Sequence, residues 1–167
     1  MHVTLRVMPH VFNLRSRRSF RVLEKALYDI RDVGARLTHF SVQGNHVHLI
    51  LEVEGRHALA RAMRSLCVRA AKALNRMMGR AGRVFADRYH ATVLRSPRQV
   101  YRAIRYVLAN TRKHLLERGT KVGAVTVDDY AAGPAEHVPD TMRLRPSVLL
   151  LEPRTWLLQT GWLRGAT

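Results

Sequence analysis

A chain of 167 residues, 47% of them hydrophobic, has the size of one domain and can build a core without disulfide or metal staples. Its 29 Lys and Arg against 12 Asp and Glu give a formal net charge of +17, far beyond what solubility requires, so the expected partner is a polyanion. The single Cys67 excludes an internal disulfide framework and fits a reduced cytoplasmic setting, and the opening MHVTLRVMPHVF holds neither a signal-peptide apolar run nor a membrane span.

Residues 2 to 8, HVTLRVM, alternate apolar and polar types and predict a first strand, closed by Pro9 and the basic loop LRSRRS. Ser19 is the expected cap of a helix in which Phe20, Leu23, Leu27 and Ile30 recur at helical spacing until Gly34. RLTHFSVQ and HVHLILEVE, joined at Gly44-Asn45, read as a β-hairpin. A long helix is expected over about residues 57 to 78. It buries Leu59, Met63, Leu66, Cys67, Ala70, Leu74, Met77 and Met78, with Arg61, Arg64, Arg69, Lys72 and Arg76 around its other faces.

GRAGRVFADRYHATVLRS is a glycine-rich basic loop that settles into a strand near residues 88 to 95. Ser96-Pro97 then opens a third helix from about Arg98 to Leu116. The order β-α-β-β-α-β-α predicts an α+β fold, a ferredoxin-like antiparallel sheet with an additional closing helix. Residues 1–117 form this principal domain, and 118–167 are read as a linker and a C-terminal docking segment. The arginines lie on elements with apolar periodicity, so the charge belongs to a folded surface, and nucleic acid is favoured over an acidic membrane.

The stretch GNHVHLIL carries two histidines on one strand. Alternation turns His46 and His48 to the same face, about 7 Å apart, and Val47 to the other. Two neutral imidazoles held in this way can share a metal ion if a second element supplies the remaining ligands. The third helix offers them: beside its apolar stripe of Val100, Ile104, Val107, Leu108 and Leu115 lie Gln99, Tyr106, Asn110 and Lys113. Tyr106 and Asn110, four residues apart, stack one above the other, whereas Tyr101 projects from the opposite margin.

These residues resemble the REP-associated tyrosine transposases, members of the single-tyrosine HUH endonucleases. His46-Val47-His48 matches the HUH motif, and Tyr106 to His114, YVLANTRKH, is similar to the family's Tyr-Ile-x-x-Asn-Pro-x-Lys signature. VFADRYHATVLR at 84–95 and the opening HVTLR resemble the flanking strands, so the similarity covers about residues 2–117. Thr111 stands where the family has proline.

The resemblance implies cleavage of single-stranded DNA, at hairpin-forming palindromic repeats, by Tyr106 as nucleophile. It implies a 5′-phosphotyrosine intermediate and a divalent cofactor, Mg²⁺ or Mn²⁺, bound by His46, His48 and Asn110, with Gln99 as the alternative third ligand. Arg15, Arg17 and Arg18 in the first loop, and Arg80, Arg83 and Arg88 around the glycine-rich loop, are the expected contacts to nucleic acid. A monomer in the bacterial cytoplasm, at the nucleoid, is expected, with a homodimer as the alternative. The competing reading is an inactive descendant that only binds structured DNA or RNA, and a plasmid-type replication initiator is disfavoured because residue 110 is Asn in place of the usual lysine.

Overall fold

The alternation in residues 2 to 8 decides how the sheet presents its two faces. The structure, a computed structural model, describes residues 1–144 and 146–166. In β1 (His2–Arg6), Val3 and Leu5 are buried on one face, while His2 and Thr4 turn to the other. The chain then enters α1 (Arg17–Tyr28). Its cap is Ser16 and not Ser19: Ser16 has extended backbone and its hydroxyl accepts from Ser19 N at 3.2 Å, which leaves Ser19 buried in the first turn. A 3₁₀ turn over Asp29–Val33 continues the helix until Gly34, whose φ of 80° ends it in the left-handed region.

The hairpin forms as read, from β2 (Arg36–Val42) and β3 (His46–Glu52), with Gln43 N donating to His46 O at 2.8 Å across Gly44-Asn45. A bulge shifts the register of β2 between Leu37 and His39, where Thr38 Oγ1 donates to Ile50 O. The extra residue lets Leu37, Phe40 and Val42 all join one core while His39 turns to the opposite face.

Helix α2 (Gly55–Met78) and helix α3 (Pro97–Glu117) match their predicted spans within two residues at each end. The intervening strand β4 (His90–Thr92) is much shorter than the expected 88–95, because it is an exposed edge with Phe85 making only an isolated bridge to Val7. After α3 come β5 (Thr126–Asp128), β6 (Ala131–Ala132), β7 (Met142–Leu144), the single-turn α4 (Trp156–Gln159) and a 3₁₀ turn over Gly161–Gly165.

The main sheet runs β4-β1-β3-β2-β6 with every neighbouring pair antiparallel, and its first four members have the ferredoxin-like order. Helices cover both faces. Leu23 and Leu27 of α1 and Leu59, Met63, Leu66, Ala70 and Leu74 of α2 pack on Val3, Leu5, Val47, Leu49 and Leu51. Each of these side chains except Ala70 contributes about 1.5–3 kcal/mol on burial. On the other face Val100, Ile104, Val107 and Leu108 of α3 pack with Ile50 of β3 and Leu158 of α4.

The segment after residue 118 docks by specific bonds. It adds β6 to the open edge of β2, donates Leu151 N to Leu37 O at 2.8 Å, and donates Arg154 N and Thr155 N to the Glu52 carboxylate at 2.8 Å each. Among the described residues no helix is long and apolar enough to cross a membrane.

Candidate active site

Register and helical period bring the two sequence motifs together. Thr4 lies opposite His48 and Arg6 opposite His46 in the β1–β3 ladder, so the alternate residues of both strands share the face covered by α3. His46 and His48 sit with ring centroids 4.7 Å apart. Tyr106 of α3 stands edge-on to His48 at 5.0 Å and to His2 at 5.9 Å. Two turns further along the helix, His114 stands 6.1 Å from His46. Asn110, four residues from each, is therefore bracketed by a helix face whose two ends touch the two histidines.

Hydrogen bonds fix the orientation of both imidazoles. His48 Nδ1 is 3.1 Å from Thr4 Oγ1 and 3.3 Å from His2 Nε2, and His46 Nδ1 is 2.8 Å from Asn45 Oδ1. With Nδ1–H donating in each ring, the Nε2 lone pairs of both histidines remain available. Among the described residues the buried His48 Nε2 has no partner. The same holds for both amide atoms of Asn110, a residue only 1% exposed. Buried polar atoms are nearly always paired, so three orphans on facing elements mark a place where stability has been given up.

Burial pushes the His48 imidazole down to about 3, aided by the neighbouring charges of His46, His2 and His114. His46 is lowered by burial and then by His114 and Arg6, and His2 by burial, the N-terminal amine and His90. All three rings are therefore neutral at neutral pH, the state in which imidazole accepts a metal or a proton.

Among the described residues no three His, Cys, Asp or Glu side chains are grouped to hold a metal. A third protein donor to an ion at His46 and His48 has to be of another type, and the unpaired amide oxygen of Asn110 is of the right chemistry for Mg²⁺ or Mn²⁺. Gln99 is placed differently. Its side-chain oxygen accepts from Arg95 N at 2.8 Å, while its own N–H donates to the capping Ser96 Oγ at 3.3 Å. Eleven residues separate it from Asn110, about 16 Å along the helix axis.

The six arginines divide. Arg17 and Arg88 are exposed; Arg18, also exposed, reaches Met77 O at 3.2 Å. Arg83 is exposed and bonds Phe85 O and Ala86 O, and Arg80 is half-buried and bonds Ala81 O. Arg15 has its guanidinium engaged by the protein: it donates to both oxygens of the fully buried Asp128, to Val42 O and to Thr111 Oγ1, and stacks on Tyr130 at 4.6 Å.

His2, Thr4 and His114 stand in the site without a role read from the sequence motifs, whereas Lys113 occupies the lysine position of the signature. Strand alternation contains the signal for the first two, since they share the parity of the residues opposite His48. Helical period contains it for His114, at i+8 from Tyr106. Lys113 places its ammonium 5.6 Å from the Tyr106 ring centroid, over the face of the ring.

No protein-family model matches the sequence, and neither does any curated protein. Among solved structures the chain is similar to a REP-associated tyrosine transposase bound to a REP hairpin, at 18% identity and a TM-score of 0.56. That match covers 68% of this chain and 66% of the other, just under two thirds of its length. A candidate transposase from Deinococcus radiodurans matches at 17% identity and a TM-score of 0.47, over 72% of this chain and 90% of that one. The chain thus has the fold found in a REP-associated tyrosine transposase, an α+β fold built on an antiparallel sheet.

Proposed function

We propose that this protein is a metal-dependent endonuclease and strand transferase for single-stranded DNA that carries hairpins, with Tyr106 as its nucleophile. The observation that carries the reading is Tyr106 set against His48 at 5.0 Å, with His48 Nε2 and the Asn110 amide both buried and unpaired. A purely structural surface tyrosine does not need two uncompensated polar groups beside it. The hairpin-bound state of the transposase that shares this fold, together with the charge of +17, points to DNA as the polyanion.

In this reading the Tyr106 hydroxyl attacks phosphorus in line, the P–O3′ bond breaks and the departing oxygen takes a proton to become a free 3′-hydroxyl. The phenolic proton leaves during attack, and neutral His2, near the Tyr106 ring, is positioned to accept it directly or through water. The phosphate remains on the enzyme as a 5′-phosphotyrosine, so the bond energy is kept for rejoining and no nucleotide cofactor is required. His46, His48 and Asn110 would hold the divalent ion, Mg²⁺ or Mn²⁺, which supplies polarisation of a non-bridging phosphate oxygen. In this reading the Nδ1–H groups of His48 and His46 donate to Thr4 Oγ1 and Asn45 Oδ1, which leaves both Nε2 atoms free. Lys113 adds positive charge beside the nucleophile, and Arg17, Arg18, Arg83 and Arg88 supply backbone contacts to the strand.

The test is a 3′-labelled hairpin oligonucleotide incubated with the protein and Mn²⁺ or Mg²⁺, then resolved under denaturing conditions. A covalent adduct is expected that EDTA and Tyr106→Phe both abolish. Salt-sensitive hairpin binding with no cleavage under any divalent ion would instead make the protein a binder of structured nucleic acid. An adduct that survives Tyr106→Phe would remove Tyr106 from its role.

A further inference from the structure

The hydroxyl of Thr111, next to Asn110, uses its whole hydrogen-bonding capacity. It donates to Asp128 Oδ2, accepts from Arg15 Nη1 at 2.9 Å and accepts from Gln43 Nε2 at 3.2 Å. Each partner comes from a different part of the chain. Arg15 lies in the loop before α1 and also donates to Val42 O at 3.0 Å. Gln43 closes the hairpin turn, its backbone N–H on His46 O and its side chain also on Ser41 Oγ at 2.8 Å. Ser41 faces His48 in the β2–β3 ladder. Asp128 belongs to β5 and takes a further bond from Tyr130 N at 2.9 Å.

The network therefore ties the turn that starts the histidine strand to the helix turn that carries Asn110. Asp128 has no exposed side-chain surface and Thr111 is 9% exposed, so these bonds are made with little solvent competition. An ordinary helix-packing contact needs none of this. The apolar residues of α3 fix its distance from the sheet but resist sliding along its axis weakly, whereas directed bonds from one hydroxyl to the hairpin fix the slide.

We infer that Thr111, Gln43, Arg15 and Asp128 are positioning residues that set the register of the Tyr106 helix against the His46–His48 strand. The inference rests on the proposed metal and tyrosine site. Its mechanism is indirect: the network touches no reacting atom and acts by holding the Asn110 amide level with the imidazoles. Groups bonded directly to metal ligands typically change metal affinity by about 10–100-fold when removed, and this network, one step further out, is expected at the lower end of that range. The segment after residue 118 thereby gains a role in the site, since Asp128 closes the network from there.

Mn²⁺ binding to the full-length protein without DNA, followed by electron paramagnetic resonance, tests this. Thr111→Val keeps the side-chain shape and leaves Asp128 paired with Arg15 and Tyr130 N. It is expected to weaken Mn²⁺ binding about 10-fold, with a melting temperature within a few degrees of wild type, and Thr111→Ser is expected to restore binding. Gln43→Met, which cuts only the hairpin link, is expected to weaken it in the same direction and less. Wild-type affinity in both Thr111→Val and Gln43→Met would overturn the inference. If the wild-type protein itself binds no Mn²⁺, the proposed metal site fails, and the network is then judged by amide exchange. Loss of protection over residues 106–114 in Thr111→Val but not in Thr111→Ser supports it, and unchanged protection overturns it.

Discussion

The two faces of the central sheet are built from alternate residues of the same strands and follow opposite rules. Under α1 and α2, Val47, Leu49 and Leu51 of β3 are at most 1% exposed and all belong to the main apolar core. Under α3, the same strand offers His46, His48 and Ile50, and only Ile50 belongs to an apolar cluster. One face maximises packing. The other keeps neutral imidazoles and an unpaired amide next to a half-exposed tyrosine, at a cost to stability. A period of two lets one strand serve both ends without compromise in either.

This contrast can be broken in graded ways. Tyr106→Phe has the largest expected effect on chemistry, a loss of DNA cleavage of at least about 1,000-fold. Since Tyr106 is 40% exposed, its stability should change by no more than about 0.5 kcal/mol. Cleavage assays and denaturant titration of the same sample check both halves. Leu49→Ala, one residue from His48 and on the dry face, should reverse this pattern. It removes a fully buried side chain and should cost about 2–5 kcal/mol in the same titration.

Acid should act through the polar face. His39 has no exposed surface, is bonded to His137 at 2.8 Å and to Thr38 at 3.0 Å, and is held well below its ordinary 6.5 by burial and then by the His137 charge. Its folded value lies below its unfolded one, so the unfolded chain takes up the proton first as pH falls. The contribution is complete above pH 6.5 and is lost below it by about 1.4 kcal/mol per unit. Melting curves from pH 7.5 down to about 5 should show that decline, and a flat profile would contradict a neutral buried pair.

One substitution should bring a gain in stability. Asn110→Leu replaces a buried, unpaired amide with a side chain of similar size, and stability should rise by about 1 kcal/mol while metal-dependent cleavage disappears. A melting temperature that falls instead would show that the amide is satisfied within the fold and is not reserved for a ligand.

The parts of this account legible in the sequence are those set by local period. Alternation placed His46 and His48 on one face, and the stripe of α3 placed Tyr106 with Asn110. The first cap shows the limit: Ser16 and Ser19 both offer a hydroxyl before the same apolar run, and only backbone conformation decides between them. The length of β4 was not legible, because its ladder covers only His90 to Thr92 although the partner β1 runs on to Arg6, and no local pattern marks where pairing at an exposed edge stops. Arg15 read as one of three equivalent loop arginines, and its partner Asp128 lies 113 residues away in a segment with no periodicity. β6, two alanines long, carries no pattern of its own and exists because β2 leaves an open edge.

Mass spectrometric mapping of the nucleotide-modified peptide tests most directly whether the histidine strand and the tyrosine helix form one DNA-cleaving site. After reaction of wild-type protein with a hairpin oligonucleotide and Mn²⁺, then nuclease and protease digestion, a phosphonucleotide is expected on Tyr106 alone. Modification at Tyr101 or another residue, or hairpin-bound protein with no modified peptide, would contradict it.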